Sequence, residues 1–294
     1  MSFEIPVSFV EQFKDNIYML AQQRGSKLMN AVRVESITGK SKYFERLGPT
    51  EAVQRTSRHS DTPLVSSPHS RRKVNIADWE WADLIDKQDE IRLLIDPQSA
   101  YTKNGASALG RTMDDVIFEA IRGNALAGET GSTTIALPAD RRVTESGTDG
   151  LTKAKLIEGR VRLLNSDVDP DSDTFHIACH PNQLVDLLND TTLTSADYNT
   201  VRALVSGDFG AANNFMGYQW HMTTRTPLKE GTSDKRDVCV WAESGIGMAV
   251  GKGIEAKISE RADKSYATQV YLCMTIGATR IEEDKVVILE SHEA

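Results

Sequence analysis

One stretch constrains the chain more than any other. It begins Asp96-Pro-Gln-Ser-Ala-Tyr-Thr-Lys, runs on through Met113-Asp-Asp-Val-Ile-Phe-Glu-Ala-Ile-Arg122 and stops at Gly123-Asn124. Asp96 can accept a hydrogen bond from the first free N–H groups of a helix, Pro97 suits the first helical position, and Gly123 suits a left-handed residue just past the end. Between these markers Leu109, Met113, Val116, Ile117, Ala120 and Ile121 recur three and four apart, while Arg111, Asp114, Asp115 and Arg122 fall elsewhere. That is the pattern of a helix with one buried stripe. Gly105 and Gly110 lower the helix propensity of its first half. A continuous helix of about 25 residues at 1.5 Å each would be roughly 40 Å long, a beam across which other elements can be laid.

The rest of the chain must supply what packs on that beam. With 294 residues, 39% of them hydrophobic, it can bury the core of one large domain or two smaller ones. No run approaches the roughly 18 apolar residues of a membrane span, and an N-terminus carrying Glu4, Pro6 and Glu11 is not built like a signal peptide. Synthesis in a cytosol and no membrane partner are therefore expected. Cys179, Cys239 and Cys273 each sit among apolar, strand-like neighbours and read as small buried hydrophobes, with no disulfide framework implied.

Charge is placed unevenly. The formal net charge of -8 argues against a general nucleic-acid binder, because neutralising phosphates needs a basic face. Yet between residues 31 and 75 Arg33, Lys40, Lys42, Arg46, Arg55, Arg58, Arg71, Arg72 and Lys73 face only Glu35, Glu45, Glu51 and Asp61, a balance of +5. From 76 to 96 the sign reverses: Asp78, Glu80, Asp83, Asp86, Asp89, Glu90 and Asp96 outnumber Lys87 and Arg92, a balance of -5. Both blocks can be solvated surface. They can also be complementary patches, the basic segment of one copy lying on the acidic segment of another.

Residues 6–24 carry Phe9, Phe13, Ile17, Leu20 and Ala21 on one face and end at Gly25, which predicts an amphipathic helix whose apolar side needs a partner. Residues 31–76 read as two extended polar arms, near 32–47 and 63–76, around a turn-rich centre with Gly48-Pro49. A lone two-stranded ribbon is marginally stable at best, so this one should be disordered or rest on a neighbouring molecule. After the long helix, residues 124–150 read as a loop with a short strand near Thr134-Ile-Ala-Leu137, and 151–165 as a helix. Phe175-His-Ile-Ala-Cys179 alternates like a half-buried strand, and Pro181 opens a helix with Leu184, Val185 and Leu188 inward. Another helix fits 195–206. Strands are expected at 217–224, 237–241, 247–250, 253–259, 268–278 and 286–290, so the fold class is α+β.

Motifs for catalysis are missing. His176, Cys179 and His180 suggest a metal cluster, but on a strand the two histidines stand about 13 Å apart with Cys179 on the other face, whereas zinc ligands all lie within about 2.3 Å of the ion. Gly245-Ile-Gly-Met-Ala-Val-Gly-Lys-Gly253 misses the phosphate-loop spacing by one and leads into a strand, where a hairpin turn is the better reading. No G-x-S-x-G occurs, and adjacent acidic pairs such as Asp114-Asp115 and Glu282-Glu283 cannot face each other. No catalytic residues, metal or cofactor are expected.

The order of the parts carries a resemblance. Ile91-Arg-Leu-Leu-Ile-Asp96 leading into the helix ending Asp114-Asp-Val-Ile-Phe-Glu-Ala-Ile-Arg-Gly-Asn124 is similar to the entry and spine helix of the Hong Kong 97-type major capsid proteins of tailed bacteriophages. Phe175-His-Ile-Ala-Cys-His-Pro-Asn-Gln-Leu-Val-Asp-Leu-Leu-Asn189 looks like the axial-domain strand and its Pro-initiated helix, and residues 241–259 and 266–289 like the strands that return the chain to the peripheral domain. The resemblance implies an N-terminal arm at 1–30 and an extended hairpin loop at 31–76. It further implies a peripheral domain of 77–150 and 251–294, with the spine helix at about 97–123, and an axial domain at 151–250.

On function the resemblance implies a non-enzymatic major capsid protein. Copies would assemble as pentamers and hexamers into an icosahedral shell around double-stranded DNA held non-specifically, after synthesis in the host cytoplasm. The partners it implies are a portal and a separate scaffolding protein, or a removed segment in the scaffold's place, with a decoration protein left open. Some family members crosslink a hairpin lysine to an asparagine; Lys40 and Lys42 lie in the hairpin, but no matching partner motif is present and no crosslink is expected. Contacts between copies would set Arg33, Lys40, Lys42, Arg46, Arg55, Arg58, Arg71, Arg72 and Lys73 against Asp78, Glu80, Asp83, Asp86, Asp89 and Glu90, with Phe9, Phe13, Ile17 and Leu20 packing the N-terminal arm. Two alternatives stay open at this point: an encapsulin-like nanocompartment shell that loads protein cargo, and a soluble enzyme whose site the sequence does not display.

Overall fold

The long helix forms where its end signals place it, over Pro97–Arg122. In this computed structural model, residues 21–59, 61–86, 97–144, 149–189, 214–232 and 234–293 are described. Along them run β1 (Arg33–Ser36), β2 (Ser41–Leu47), β3 (His69–Asn75), β4 (Ala77–Ile85), the long helix α1 (Pro97–Arg122), β5 (Ala125–Ala127), β6 (Thr133–Ile135) and β7 (Arg142–Val143). There follow α2 (Lys153–Leu164), β8 (Phe175–Cys179), α3 (Pro181–Asn189), β9 (Asn214–Phe215), β10 (Tyr218–Met222), β11 (Lys235–Ala242), β12 (Ile246–Arg261), β13 (Ala267–Arg280) and β14 (Val286–His292). The expected helices at 6–24, with Phe9, Phe13, Ile17 and Leu20, and at 195–206, and the helix entry at 91–96, lie largely or wholly outside the described residues. Residues 21–24, the end of the first of these, are not helical.

Two corrections concern α1. Gly123 is not left-handed: its N–H closes the last turn on the Glu119 carbonyl at 2.7 Å, and a Cβ there would stand 2.7 Å from that same oxygen. The glycine is required by space. The second concerns the buried face, which holds Leu109, Met113, Ile117, Phe118 and Ile121 but also Asp114, fully buried. The Asp114 carboxylate accepts the backbone N–H of Lys27 at 3.1 Å and of Leu28 at 3.1 Å. Hydrogen bonds to a charged group contribute about 1.5–3 kcal/mol each, so this side chain fastens the segment before β1 to the helix. Beyond the helix end, the fully buried Arg280 donates to the carbonyls of Ile121 at 3.0 Å, Gly123 at 2.8 Å and Ile135 at 3.0 Å, satisfying acceptors the helix cannot.

The chain divides into two compact units. The smaller includes Asp78–Thr112 and Lys252–Met274, so β4, the first part of α1 and the outer halves of β12 and β13 belong to it. Here β13 lies between β12 and β4. Gly105 and Gly110, which weaken the helix by propensity, permit close approach: a Cβ on Gly105 would lie 2.4 Å from the Trp81 ring, and one on Gly110 2.5 Å from the backbone of Gly25.

The larger unit, Lys27–Ala77, Met113–Gly251 and Thr275–Ala294, is built on a six-stranded sheet in the order β7-β14-β11-β8-β10-β9. β8 sits inside it, parallel to β10 and antiparallel to β11. All five of its residues are buried, against the half-buried strand expected, because both neighbours and both faces are covered. Phe175, Ile177 and Cys179 join Leu156, Leu163, Tyr218, Trp220, Val240 and Leu289 in the main core. α3 buries Gln183 and Leu187, whereas Val185 is 54% exposed, Leu188 is exposed and Leu184 is half-buried; the inward face is rotated from the one expected.

The hairpin also differs from expectation. Its paired arms are only β2 and β3, from Ser41↔Asn75 to Leu47↔His69, and β3 pairs on its other side with β5, which pairs with β6. The ribbon is therefore the edge of a four-stranded sheet within its own chain. Residues 33–36, expected in the first arm, instead form β1, parallel to β12 from Arg33↔Gly247 to Ser36↔Val250. The glycine-rich run 245–253 is no hairpin turn: after a 3-10 turn at Glu243–Gly245 it lies within the continuous sixteen-residue β12.

Candidate assembly surface

Of the nine basic residues singled out by sequence, several are held by carboxylates of their own chain. Arg33 and Lys42 both pair with Glu35 at 2.6 Å, and the Lys42 bond, foremost, with both charges holds that carboxyl below its usual range. Arg72 is 3% exposed and donates to both carboxylate oxygens of Glu283, at 2.9 and 2.8 Å. Arg46 lies 3.6 Å from the same carboxylate and donates to the Ile281 carbonyl at 2.7 Å. Arg72 and Arg46 are thus parts of the subunit's own packing, a buried pairing that the charge count could not reveal because 211 residues separate Arg72 from Glu283.

The remaining cations are differently placed. Arg71 lies 3.4 Å from Glu45 and over the Tyr43 ring, and Lys73 donates to the Thr130 carbonyl at 3.4 Å. Lys40, Arg55 and Arg58 are exposed. Between β2 and β3, residues 48–59 and 61–68 have no regular structure and leave Val53 60%, Leu64 98% and Val65 48% exposed. Single exposed apolar residues are ordinary, but three on one irregular excursion form an arm its own subunit does not cover. At the root of this arm a cleft of about 560 Å³ is lined by Glu45, Arg46, His69, Arg71 and Glu129, charges of both signs and no convergent catalytic set.

Of the acidic residues, Asp78, Glu80 and Asp86 are exposed and Asp83 is half-buried, all on or just after β4. Glu80 accepts from the Tyr271 hydroxyl at 2.7 Å. Asp89 and Glu90 lie outside the described residues.

The histidines resolve differently from a metal cluster. His176 on β8 sets its Nδ1 3.0 Å from Nε2 of His221 on β10, and its ring stacks on Trp241 with centroids 5.8 Å apart. Burial, foremost, and the neighbouring His221 push the His176 imidazole down to about 4; Asp173 acts the other way. His180 lies 3.5 Å from Glu293 instead. Among the described residues no three potential ligands converge on one point. Cys179 and Cys239 are buried free thiols, Cys179 pushed up to about 12 by burial.

The described residues thus present a long helix, an exposed arm between β2 and β3, and no three potential metal ligands that converge. The sequence profile of the phage capsid protein family matches residues 5–293, and the chain belongs to that family. No curated protein matches it in sequence. Among solved structures it is similar to the capsid of cyanophage P-SCSP1u, at 15% identity over 97% of this chain and 94% of that one, with a TM-score of 0.68. It is likewise similar to a Mycobacterium phage Che8 structure (15%, 98% and 98%, 0.67) and to the capsid of Ralstonia phage GP4 (10%, 100% and 98%, 0.69). The fold is therefore the Hong Kong 97-like one, and the protein is a structural component of the virion shell, a major capsid protein and not an enzyme.

Proposed function

We propose that this capsid protein assembles as pentamers and hexamers into a closed icosahedral shell around double-stranded DNA. In this reading the copies are made in the host cytoplasm and joined there by a scaffolding protein, a portal and a decoration protein. Residues 1–30 act as an N-terminal arm and 31–76 as the extended loop; 77–150 with 251–294 form the peripheral domain and 151–250 the axial domain. The observation that carries the reading is the arm at 48–68, whose Leu64 is 98% exposed in the lone subunit and would be buried against a neighbouring copy. The overall charge of -8 leaves the DNA contact weak and unspecific.

Electrostatic steering between copies falls to the exposed cations that pair with no carboxylate among the described residues, Lys40, Arg55 and Arg58, meeting Glu80, Asp83 and Asp86 of a neighbour, with Arg71 and Lys73 adding to the field. Reversing Lys40, Arg55 and Arg58 together to glutamate is expected to abolish shells while circular dichroism and melting of the subunit stay unchanged. Shells of normal yield would refute the charge pairing.

A further inference from the structure

Among the described residues, β12 presents an open edge. On its outer side β1 accompanies it only as far as Val250, and the Ile37 N–H takes the Val250 carbonyl at 3.1 Å. From 252 to 259, among the described residues, no strand pairs with that side, while β13 holds the other. Every residue there is exposed except the half-buried Glu255, and Ile254 and Ile258 are 40% and 48% exposed. A long strand edge with free N–H and C=O groups is a template for another strand.

The sequence of this edge says which strand fits. Reading outward from Ala256, Glu255 mirrors Lys257, Ile254 mirrors Ile258, Gly253 mirrors Ser259 and Lys252 mirrors Glu260. Laid antiparallel on a second copy with Ala256 opposite Ala256, each acidic residue therefore faces a basic one and each isoleucine an isoleucine. Opposite charges and apolar side chains directly across an antiparallel pair are the favourable combinations, and like charges the unfavourable ones. Within one subunit Glu255 already draws Lys252 and, at 3.8 Å, Lys257 along the same strand. Those pairs are solvent-exposed and free to exchange partners across the strands. Lysines on an edge also discourage pairing with an arbitrary strand, so the same charges admit a copy of this strand and disfavour others.

We propose that β12 is a homophilic assembly edge: two copies of the capsid protein join their outer β12 segments antiparallel about Ala256, making a local two-fold contact in the shell. The proposal rests on the assembly reading above. Directly opposed residues in an antiparallel pair have Cα atoms about 4.5–5.5 Å apart, within reach of a disulfide. Shells of the full-length Ala256→Cys variant, oxidised with diamide, should give a disulfide-linked dimer on a non-reducing gel that wild-type shells, with their native cysteines, do not. Lys257→Glu, which sets glutamate against glutamate twice across the two-fold, should lower shell yield at least several-fold, and the Glu255→Lys/Lys257→Glu swap should restore it. Normal Ala256→Cys shells without the dimer, or a Lys257→Glu variant assembling like wild type, would overturn the proposal. Should Ala256→Cys itself fail to assemble, the charge-swap pair decides. Failure of the wild type to form shells would count against the assembly reading instead, so the two are separable.

Discussion

Acidification should weaken the subunit in a window set by one buried pair. His176 is 2% and His221 8% exposed, with their facing nitrogens 3.0 Å apart, so both imidazoles stay neutral and share one hydrogen bond. Burial first, and His221 second, lower the His176 pKa from 6.5 to about 4, against an opposing pull from Asp173, whose carboxylate lies 3.2 Å from Lys285. His221 is also lowered, by burial first, with Asp114 raising it and Lys27 lowering it. Because the folded state binds this proton less readily than the unfolded chain, the unfolded chain gains protons first as pH falls. Stability is therefore flat above about pH 6.5 and declines below it, levelling off below about 4. At about 1.4 kcal/mol per pH unit, the cost at pH 4.5 from this group alone is about 2 to 3 kcal/mol. Carboxylates held low, such as Glu35 and Glu293, lose their contribution only at lower pH still. The assay is urea unfolding of dilute subunits from pH 7.5 to 4.5, wild type beside His176→Phe. The variant should lose the part of the slope between 6.5 and 4.5 that His176 carries, about 2 to 3 kcal/mol at pH 4.5, while His221 and His180, also lowered by burial, keep the remainder. Parallel curves over that interval would refute the reasoning.

Two further outcomes follow from packing. Glu283→Gln removes the carboxylate that Arg72 bonds and that Arg46 and Arg280 approach at 3.6 and 3.7 Å; leaving buried cations uncompensated should cost about 3–5 kcal/mol in urea unfolding, and a loss under about 1 kcal/mol would contradict the assigned pairing. Gly105→Ala gains about 1 kcal/mol of helix propensity but drives a methyl into the Trp81 ring 2.4 Å away, so a lowered melting temperature is expected and a raised one would show that the helix contact is loose.

The sequence revealed most where structure is local. The extent of α1, the strand-to-helix passage of β8 and α3 and the returning strands follow from prolines, a glycine and periodicity within some twenty residues. Asp114 was also legible in principle. It lies three residues before Ile117 and seven before Ile121, on the buried stripe itself, and a carboxylate at such a position implies donors brought to it from elsewhere. What could not be read is long-range pairing. His176 meets His221 because β8 and β10 pair in parallel, and Arg72 meets Glu283 through a register that no local pattern encodes. For the same reason the basic block looked uniformly available, when Arg72 and Arg46 are spent inside the subunit. The hairpin's third strand, β5, was hidden too: a three-residue strand within a glycine-rich passage carries little periodic signal.

The central claim is that this chain builds a shell. Negative-stain electron microscopy of the purified protein, paired with its sedimentation profile at physiological salt, tests it most directly. Closed shells, or rings of five and six subunits, are the predicted result. A single low-mass species at every concentration, unchanged when the other head proteins of its phage are added, would contradict it.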